Sequence, residues 1–157
     1  MSRILSEKEK ARMREYAKQY RADNKAKIAA YNKEYRRTKK DTDVLYNLKH
    51  SISKSIRKSF DTKGLEKNSK TADILGCTYN EFKVHIENQF KDWMNWDNRG
   101  TYNGLPPTDY NQCWDIDHII PLATAETEED IIKLNHYTNL QPLCSYYNRF
   151  IKRDNIE

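Results

Sequence analysis

The sequence predicts an α+β protein in which a basic, helical N-terminal region precedes a small mixed domain. Residues 1–60 contain no Pro or Gly and carry 18 Lys and Arg against 7 Asp and Glu, a charge of +11. Residues 61–157 carry 10 against 16, a charge of −6, and include an Ile-rich segment typical of a strand. A basic half joined to an acidic half indicates an arm that binds a polyanion. We therefore expect a DNA-binding arm at 1–60 and a second domain at 61–157.

The overall composition excludes several classes of protein. The 157 residues carry a net charge of +5 and are 37 % hydrophobic, which fits one domain or one domain plus an arm. The chain has no apolar run near the ~20 residues that span a bilayer, and its N-terminus lacks the apolar centre of a signal peptide. Cys77, Cys113 and Cys144 have unrelated spacings and form no zinc-binding pair. We expect a reduced, intracellular (cytoplasmic) protein without structural zinc.

The first element is expected to be one long helix from Glu7 to about Thr38, where helix formers dominate. Tyr residues recur on one face of this helix. A neighbouring face carries cations that include Lys18, Arg21, Lys25 and Arg36. Such a helix either packs its Tyr face on something or lays its cations along a phosphate backbone, where counterion release provides affinity. An anionic membrane is less favoured because the region has few Leu, Phe or Trp residues to insert.

A second helix is expected at about 43–60, after the capping residues at 41–43. Its apolar residues recur every four positions: Val44, Leu48, Ile52, Ile56 and Phe60. Residues 61–70 are polar and are interpreted as a linker. A short helix at 70–76 should end at Gly76, and Thr78 with Glu81 forms a capping box for the next helix.

That next helix should bury Phe82, Ile86 and Phe90. Residues 98–112 contain Gly, Pro and Asn and predict a long loop. Trp114 to Ile120 predicts a strand that Pro121 ends.

The C-terminal part continues with a short helix from Thr127 to about Leu134. Residues 135–142 should form a loop or short strand, and residues 143–151 a final helix. This frame carries four polar residues with chemical potential: Asp117, His118, Asn139 and Asn148.

These residue types match the requirements of phosphodiester hydrolysis. A base with a pKa near neutral, such as His, can take the proton of an attacking water. A divalent cation that stabilises charge on the phosphate and the leaving oxygen prefers oxygen ligands, which Asp117 and Asn148 offer. The imidazole must also be held in one orientation, a task suited to a nearby Asn.

The chain resembles the HNH endonucleases, a family of His-Me finger nucleases with a ββα-metal core. The similarity lies in residues 117–122, in residues 134–143 with their Asn-Leu-Gln-Pro-Leu run, and in Asn148. Blocks at 74–82 and 94–96 are similar to free-standing phage HNH proteins. The resemblance implies a ββα-metal core at about 113–153.

The resemblance also implies roles for individual residues. His118 is the expected general base, Asp117 and Asn148 the expected metal ligands, and Asn139 the residue that steadies the base. Lys152, with Arg149 and Arg153, is expected to contact the cut phosphate. Because Asn148 stands where other members have His, one Mg²⁺ is favoured over softer metals, and Mn²⁺ should substitute for it.

We therefore expect a metal-dependent endonuclease that hydrolyses double-stranded DNA. The alternative is a DNA-binding protein whose HNH-like core is structural and does not catalyse. The sequence leaves open the target site, nicking against double-strand cleavage, the oligomeric state and the biological role, whether homing, restriction or packaging.

Overall fold

The computed structural model describes residues 5–102, 104 and 113–155. The chain divides into two compact units, one of residues 1–43 and one of residues 44–157. The boundary falls before the second predicted helix, earlier than the expected position at 60/61.

The N-terminal unit consists of two helices, α1 (Glu7–Asp23) and α2 (Lys25–Thr42). Ser6 and Glu9 form a capping box that starts α1. Asn24 interrupts the helix. Its backbone N–H nevertheless donates to Tyr20 O (3.0 Å), and its backbone carbonyl oxygen accepts from Ile28 N (2.9 Å). The predicted single helix is thus two helices with a local interruption at Asn24, and it reaches further than residue 38.

Within the described range 5–43, no residue is buried. The Tyr residues stack in pairs along the helices, with ring centroids 6.3 Å apart for Tyr16–Tyr20 and 6.4 Å for Tyr31–Tyr35. These helices therefore rest on local interactions rather than on a core of their own.

The second unit begins with three helices: α3 (Val44–Thr62), α4 (Thr71–Leu75) and α5 (Tyr79–Glu87). Gly76 closes α4 with a φ of +76°, and a Cβ there would lie 2.1 Å from Nε2 of His136, so both the turn and the neighbour require glycine. The predicted capping box of Thr78 and Glu81 is present at the start of α5.

The core of this unit forms around α3. Its residues Leu48, Ile52, Ile56 and Phe60 are at most 2 % exposed and pack with Phe82, Ile86, Trp114, Ile131 and Leu140 from later elements. Because this stripe is buried in the core of residues 44–157, α3 belongs to that unit. Residues 44–157 then carry a net charge of −2 and residues 1–43 a charge of +7.

A two-stranded antiparallel sheet, β1 (Trp114–His118) and β2 (Leu140–Cys144), completes the α+β fold. Asp117 pairs with Gln141 and His118 with Leu140. Between the strands lie a 3₁₀ turn (Leu122–Thr124), helix α6 (Glu128–Leu134) and a second 3₁₀ turn (Tyr137–Asn139). The expected class, α+β, is confirmed.

The C-terminal helix differs from its prediction. Residues 143 and 144 belong to β2, so helix α7 (Ser145–Tyr147) starts later and continues as a π-helical turn (Asn148–Lys152). Arg153 N donates to Asn148 O at 3.0 Å, the five-residue spacing of a π turn. Strand β1 also ends at His118 rather than at residue 120. Residues 103 and 105–112 of the predicted loop lie outside the described residues.

Among the described helices, none combines the length and the apolar character needed to cross a membrane.

Candidate functional site

Two of the residues that the sequence singled out, Asp117 and His118, lie at the end of β1. Asp117 is buried and His118, the last residue of the strand, is half-buried. Adjacent strand residues point to opposite faces, so the two side chains reach different neighbours. Each neighbour is contributed by an element far along the chain.

Asp117 forms an ion pair with Lys152, whose side chain is buried as well. Lys152 Nζ donates to Asp117 Oδ2 and also to the carbonyl oxygen of His118, 2.6 Å away. Gln141 Nε2, from the paired strand, donates to the same Oδ2 at 3.2 Å. The π turn that carries Lys152 is thereby fastened to the end of β1.

His118 contacts a residue that the sequence analysis did not select. Its Nε2 lies 3.2 Å from Oδ1 of Asn135, the residue that ends α6 and is fully buried. Asn135 Nδ2 donates to Ile131 O (2.8 Å) and to Ser59 Oγ (2.9 Å). Ser59 in turn donates to Ile56 O at 2.7 Å.

This chain of hydrogen bonds determines the tautomer of His118. A backbone carbonyl such as Ile131 O can only accept, so the atom of Asn135 that faces it must be the amide nitrogen. The other amide atom is then an oxygen, which accepts a hydrogen bond from the N–H group at Nε2 of His118. In the neutral imidazole, Nδ1 consequently carries the free lone pair and is the atom able to act as a base.

Burial lowers the pKa of His118 below its ordinary value, and the ammonium of Lys152 acts in the same direction. The hydrogen bond to Asn135 and the charge of Asp117 oppose this shift but are smaller in effect. His118 is therefore neutral at pH 7, the state that a general base requires.

Asn139 acts on the backbone that follows His118. Its Oδ1 accepts from Ile120 N (2.9 Å), and its Nδ2 donates to Ile120 O (3.0 Å) and Leu134 O (2.8 Å). Its carbonyl also accepts from Ile119 N at 2.9 Å. Asn139 thus holds the backbone of residues 119–120, while the imidazole itself is held by Asn135.

Asn148, the second expected metal ligand, is half-exposed at the start of the π turn, four residues before Lys152. Among the described residues its side-chain amide has no hydrogen bond, and neither has Oδ1 of Asp117. Oδ1 of Asp117 on β1 and the amide oxygen of Asn148 on the π turn are thus two available metal-ligand oxygens. Lys152 links the two elements through its ion pair with Asp117.

These donors fit a hard cation that keeps most of its water. Mg²⁺ is commonly held by one or two protein oxygens and several waters, whereas zinc sites use three or four His and Cys ligands. Within the described part of the chain, no group of three His, Cys, Asp or Glu residues is arranged to hold a metal. The carboxylate oxygen of Asp117 and the amide oxygen of Asn148 are ligand types that Mg²⁺ uses.

A cavity of about 530 Å³ opens beside His118. One wall is the polar side of α3, and the other includes the 3₁₀ turn after β1. Its lining residues are Ser55, Lys58, Ser59, Thr62, Lys63, His118, Leu122, Ala123 and Asp154. The cavity that His118 lines is thus large enough for a ligand of appreciable size.

The expected DNA-binding cations are placed in three different settings. Arg21, Lys25 and Arg36 line one groove of about 580 Å³ along α1 and α2, while Lys18 is exposed outside that lining. Arg149 and Arg153 are exposed in the second unit. Lys152 is only 2 % exposed and its ammonium is engaged by Asp117, so in this structure it does not face a phosphate as expected.

Two residues of the site were missed by the sequence analysis. The sequence analysis did not single out Lys58, which lines the cavity beside His118. Asn135 left a clearer signal, because it lies four residues after Ile131 and next to Leu134, on the buried side of α6. A polar residue inside an apolar stripe must be hydrogen-bonded, and this one bonds the base.

Comparison with known proteins identifies relatives of part of the chain. No family model matches it, and no solved structure matches it. It is 34 % identical over 97 residues to "Uncharacterized protein L426" of Acanthamoeba polyphaga mimivirus, covering 60 % of this chain and 37 % of the relative. It is 33 % identical over 78 residues to "Uncharacterized protein L246" of the same virus, covering 48 % and 30 %. The chain thus spans about a third of the length of these curated relatives.

Proposed function

We propose that the protein is a metal-dependent endonuclease that hydrolyses phosphodiester bonds in double-stranded DNA. The observation that carries this proposal is the imidazole of His118. Its Nε2 is committed to Asn135, its pKa is lowered by burial, and it lines an open cavity next to a buried carboxylate. A neutral imidazole that lines a cavity can take a proton from a water molecule there.

In the proposed reaction, Nδ1 of His118 takes a proton from water as the water oxygen attacks phosphorus. The bond between phosphorus and the 3′ oxygen breaks, and that oxygen leaves with the electron pair and is protonated from solvent. The products are a 5′ phosphate and a 3′ hydroxyl. Asn135 holds the imidazole in the required tautomer, and Asn139 fixes the backbone that follows it.

Asp117 Oδ1 and the amide oxygen of Asn148 would hold one Mg²⁺, or Mn²⁺ in its place. When bound, a divalent cation supplies positive charge to the phosphate oxygens and to the leaving oxygen. Lys152 holds the Asp117 carboxylate in place through its buried ion pair.

Binding to the duplex is assigned mainly to residues 1–43. They carry a charge of +7, whereas residues 44–157 carry −2 and provide little long-range attraction for DNA. The groove formed by Arg21, Lys25 and Arg36 is the proposed contact with the phosphate backbone.

A second candidate function is DNA binding by a protein with a non-catalytic core. The observation that favours it is the ion pair of Lys152 and Asp117, because a carboxylate already neutralised by a buried ammonium can be purely structural.

A plasmid-nicking assay distinguishes the two functions. Purified full-length protein is incubated with supercoiled plasmid and either MgCl₂ or EDTA, and the His118→Ala variant serves as a control for contaminating nuclease. Nicking that needs Mg²⁺ and His118 supports the endonuclease. DNA binding without nicking in Mg²⁺ or Mn²⁺ supports the non-catalytic alternative.

A further inference from the structure

The cavity beside His118 contains cationic and hydroxyl groups that the proposed mechanism does not use. Lys58 and Ser55 both lie on the exposed side of α3 and line this cavity. Neither side chain has a hydrogen bond or ion pair among the described residues. Both are therefore free to donate to a ligand.

The remaining polar groups of the cavity are already engaged. Thr62 Oγ1 donates to Lys58 O (2.8 Å), and Ser59 Oγ bonds Ile56 and Asn135. Lys63 Nζ donates to Ala125 O (2.7 Å) and Ala123 O (3.5 Å), which ties the end of α3 to the turn after β1. Lys58 is thus the cavity's cation without a partner.

The charges around the cavity favour an anion. Two lysines, Lys58 and Lys63, line it against one carboxylate, that of Asp154. Ser59 also lines the cavity. It is hydrogen-bonded to Asn135, which in turn is hydrogen-bonded to His118. An anion in this cavity would lie beside the side chain of His118, which lines it.

We propose that this cavity is a subsite for a backbone phosphate of the DNA strand that is cut, with Lys58 as its principal ligand and Ser55 as a second donor. The proposal rests on the proposed endonuclease function and extends it. The core then contributes to substrate binding through α3, in addition to the basic N-terminal unit. Lys58 positions the strand against His118 rather than taking part in proton transfer.

Helix α3 offers a matched control for this proposal. Lys54 lies one turn before Lys58, is equally exposed and carries the same charge, but does not line the cavity. At 100° per residue it points away from the buried stripe of Leu48, Ile52 and Ile56. Lys54→Ala therefore removes the same charge from the same helix without removing the subsite.

The experiment is a salt titration of duplex binding without divalent metal, using full-length wild type, Lys58→Ala, Lys58→Arg and Lys54→Ala. Loss of one phosphate contact lowers the slope of log K against log salt by about 1. We expect this loss for Lys58→Ala, recovery in Lys58→Arg, and a wild-type slope for Lys54→Ala. In nicking assays, Lys58→Ala should raise KM more than it lowers kcat.

The outcomes separate the subsite from the function. If wild type nicks DNA but Lys58→Ala and Lys54→Ala have equal slopes, the subsite is wrong and the endonuclease stands. If wild type neither binds nor nicks DNA, the proposed function fails and the subsite fails with it. Thermal melting of both variants checks that the fold is unchanged, as expected for exposed side chains.

Discussion

Asn135 Oδ1 and His118 Nε2 lie 3.2 Å apart, and this contact directs the free lone pair of the imidazole to Nδ1. Asn135 is itself fixed by Ile131 O and Ser59 Oγ, so the orientation of the base is set by residues of α6 and α3. Two elements, α6 and α3, therefore determine the tautomer of a residue on β1.

The first prediction concerns this contact. Asn135→Ala should lower kcat by roughly 10–100-fold, the usual cost of losing a group that orients a functional side chain. Asn135→Asp should raise the pKa of His118, because a carboxylate stabilises the imidazolium, and so move the acid limb of the pH–rate profile upward. The profile is measured by nicking rate, with the exposed Asn80→Asp as control. An unshifted acid limb in a folded Asn135→Asp variant would refute the role of Asn135.

The second prediction concerns the base itself. His118→Ala should lose about 10²–10⁴-fold in nicking rate while keeping DNA affinity. In wild type, burial disfavours the charged imidazole, so the acid limb of kcat/KM should lie below the ordinary His pKa of about 6.5. Activity is retained at neutral pH and lost as the pH falls through that lowered pKa. Wild-type nicking by His118→Ala at neutral pH contradicts the assignment.

A third prediction separates the proposed ligands from the backbone support. Asp117→Ala should abolish the response to Mg²⁺ most completely, and Asn148→Ala should raise the Mg²⁺ concentration needed for half-maximal nicking. Asn139→Ala should lower turnover with little change in that concentration, because the side chain of Asn139 bonds the backbone of Ile120, after His118. Identical metal titrations for the three variants would show that this division of roles is wrong.

A fourth prediction concerns the buried ion pair. Lys152→Met leaves the carboxylate of Asp117 buried without its partner, which typically costs about 3–5 kcal/mol of unfolding free energy. The double variant Lys152→Met, Asp117→Asn should recover a large part of this loss, since no charge is left uncompensated. Chemical denaturation of the single and double variants measures both values. Equal stabilities for Lys152→Met and wild type would mean that the pair does not form in solution.

The fifth prediction tests the basic N-terminal unit. Deleting residues 1–40 should flatten the dependence of log K on log salt by several units and weaken binding to unrelated duplexes alike. Because α3 stays with the core and keeps its cations, a residual slope should remain. The measurement is a salt titration of full-length and truncated protein on two duplexes. An unchanged slope would mean that these residues bind a different partner.

The elements predicted well from the sequence are those encoded locally. The capping box at Thr78, the helix start at Thr127 and the helix end at Gly76 involve residues a few positions apart, and each appears where the pattern placed it. The apolar stripe of α3 was also recognised. Its assignment to the core required knowing that partners as distant as Ile131 and Leu140 cover it.

The parts of the site that escaped prediction depend on contacts between distant residues. Lys152 and Asp117 meet because a π turn changes the helical spacing after Asn148, and no propensity rule anticipates that turn. Asn135 and Asn139 both lie in the short segment between α6 and β2, so their positions in the sequence do not show which of them bonds His118. The structure shows that Asn135 bonds the imidazole and that Asn139 bonds the backbone of Ile120.

The absence of any buried residue in the described range 5–43 has a consequence for how this chain should diverge over evolution. Where no side chain fills a core, exchanges among helix-forming residues cost little, provided that positive charge is retained. Selection there acts on composition rather than on particular positions. In the core, Asn135 or Trp114 can be replaced only at the expense of specific contacts. Sequence identity between relatives should therefore decay fastest in α1 and α2, while their basic, helical character persists.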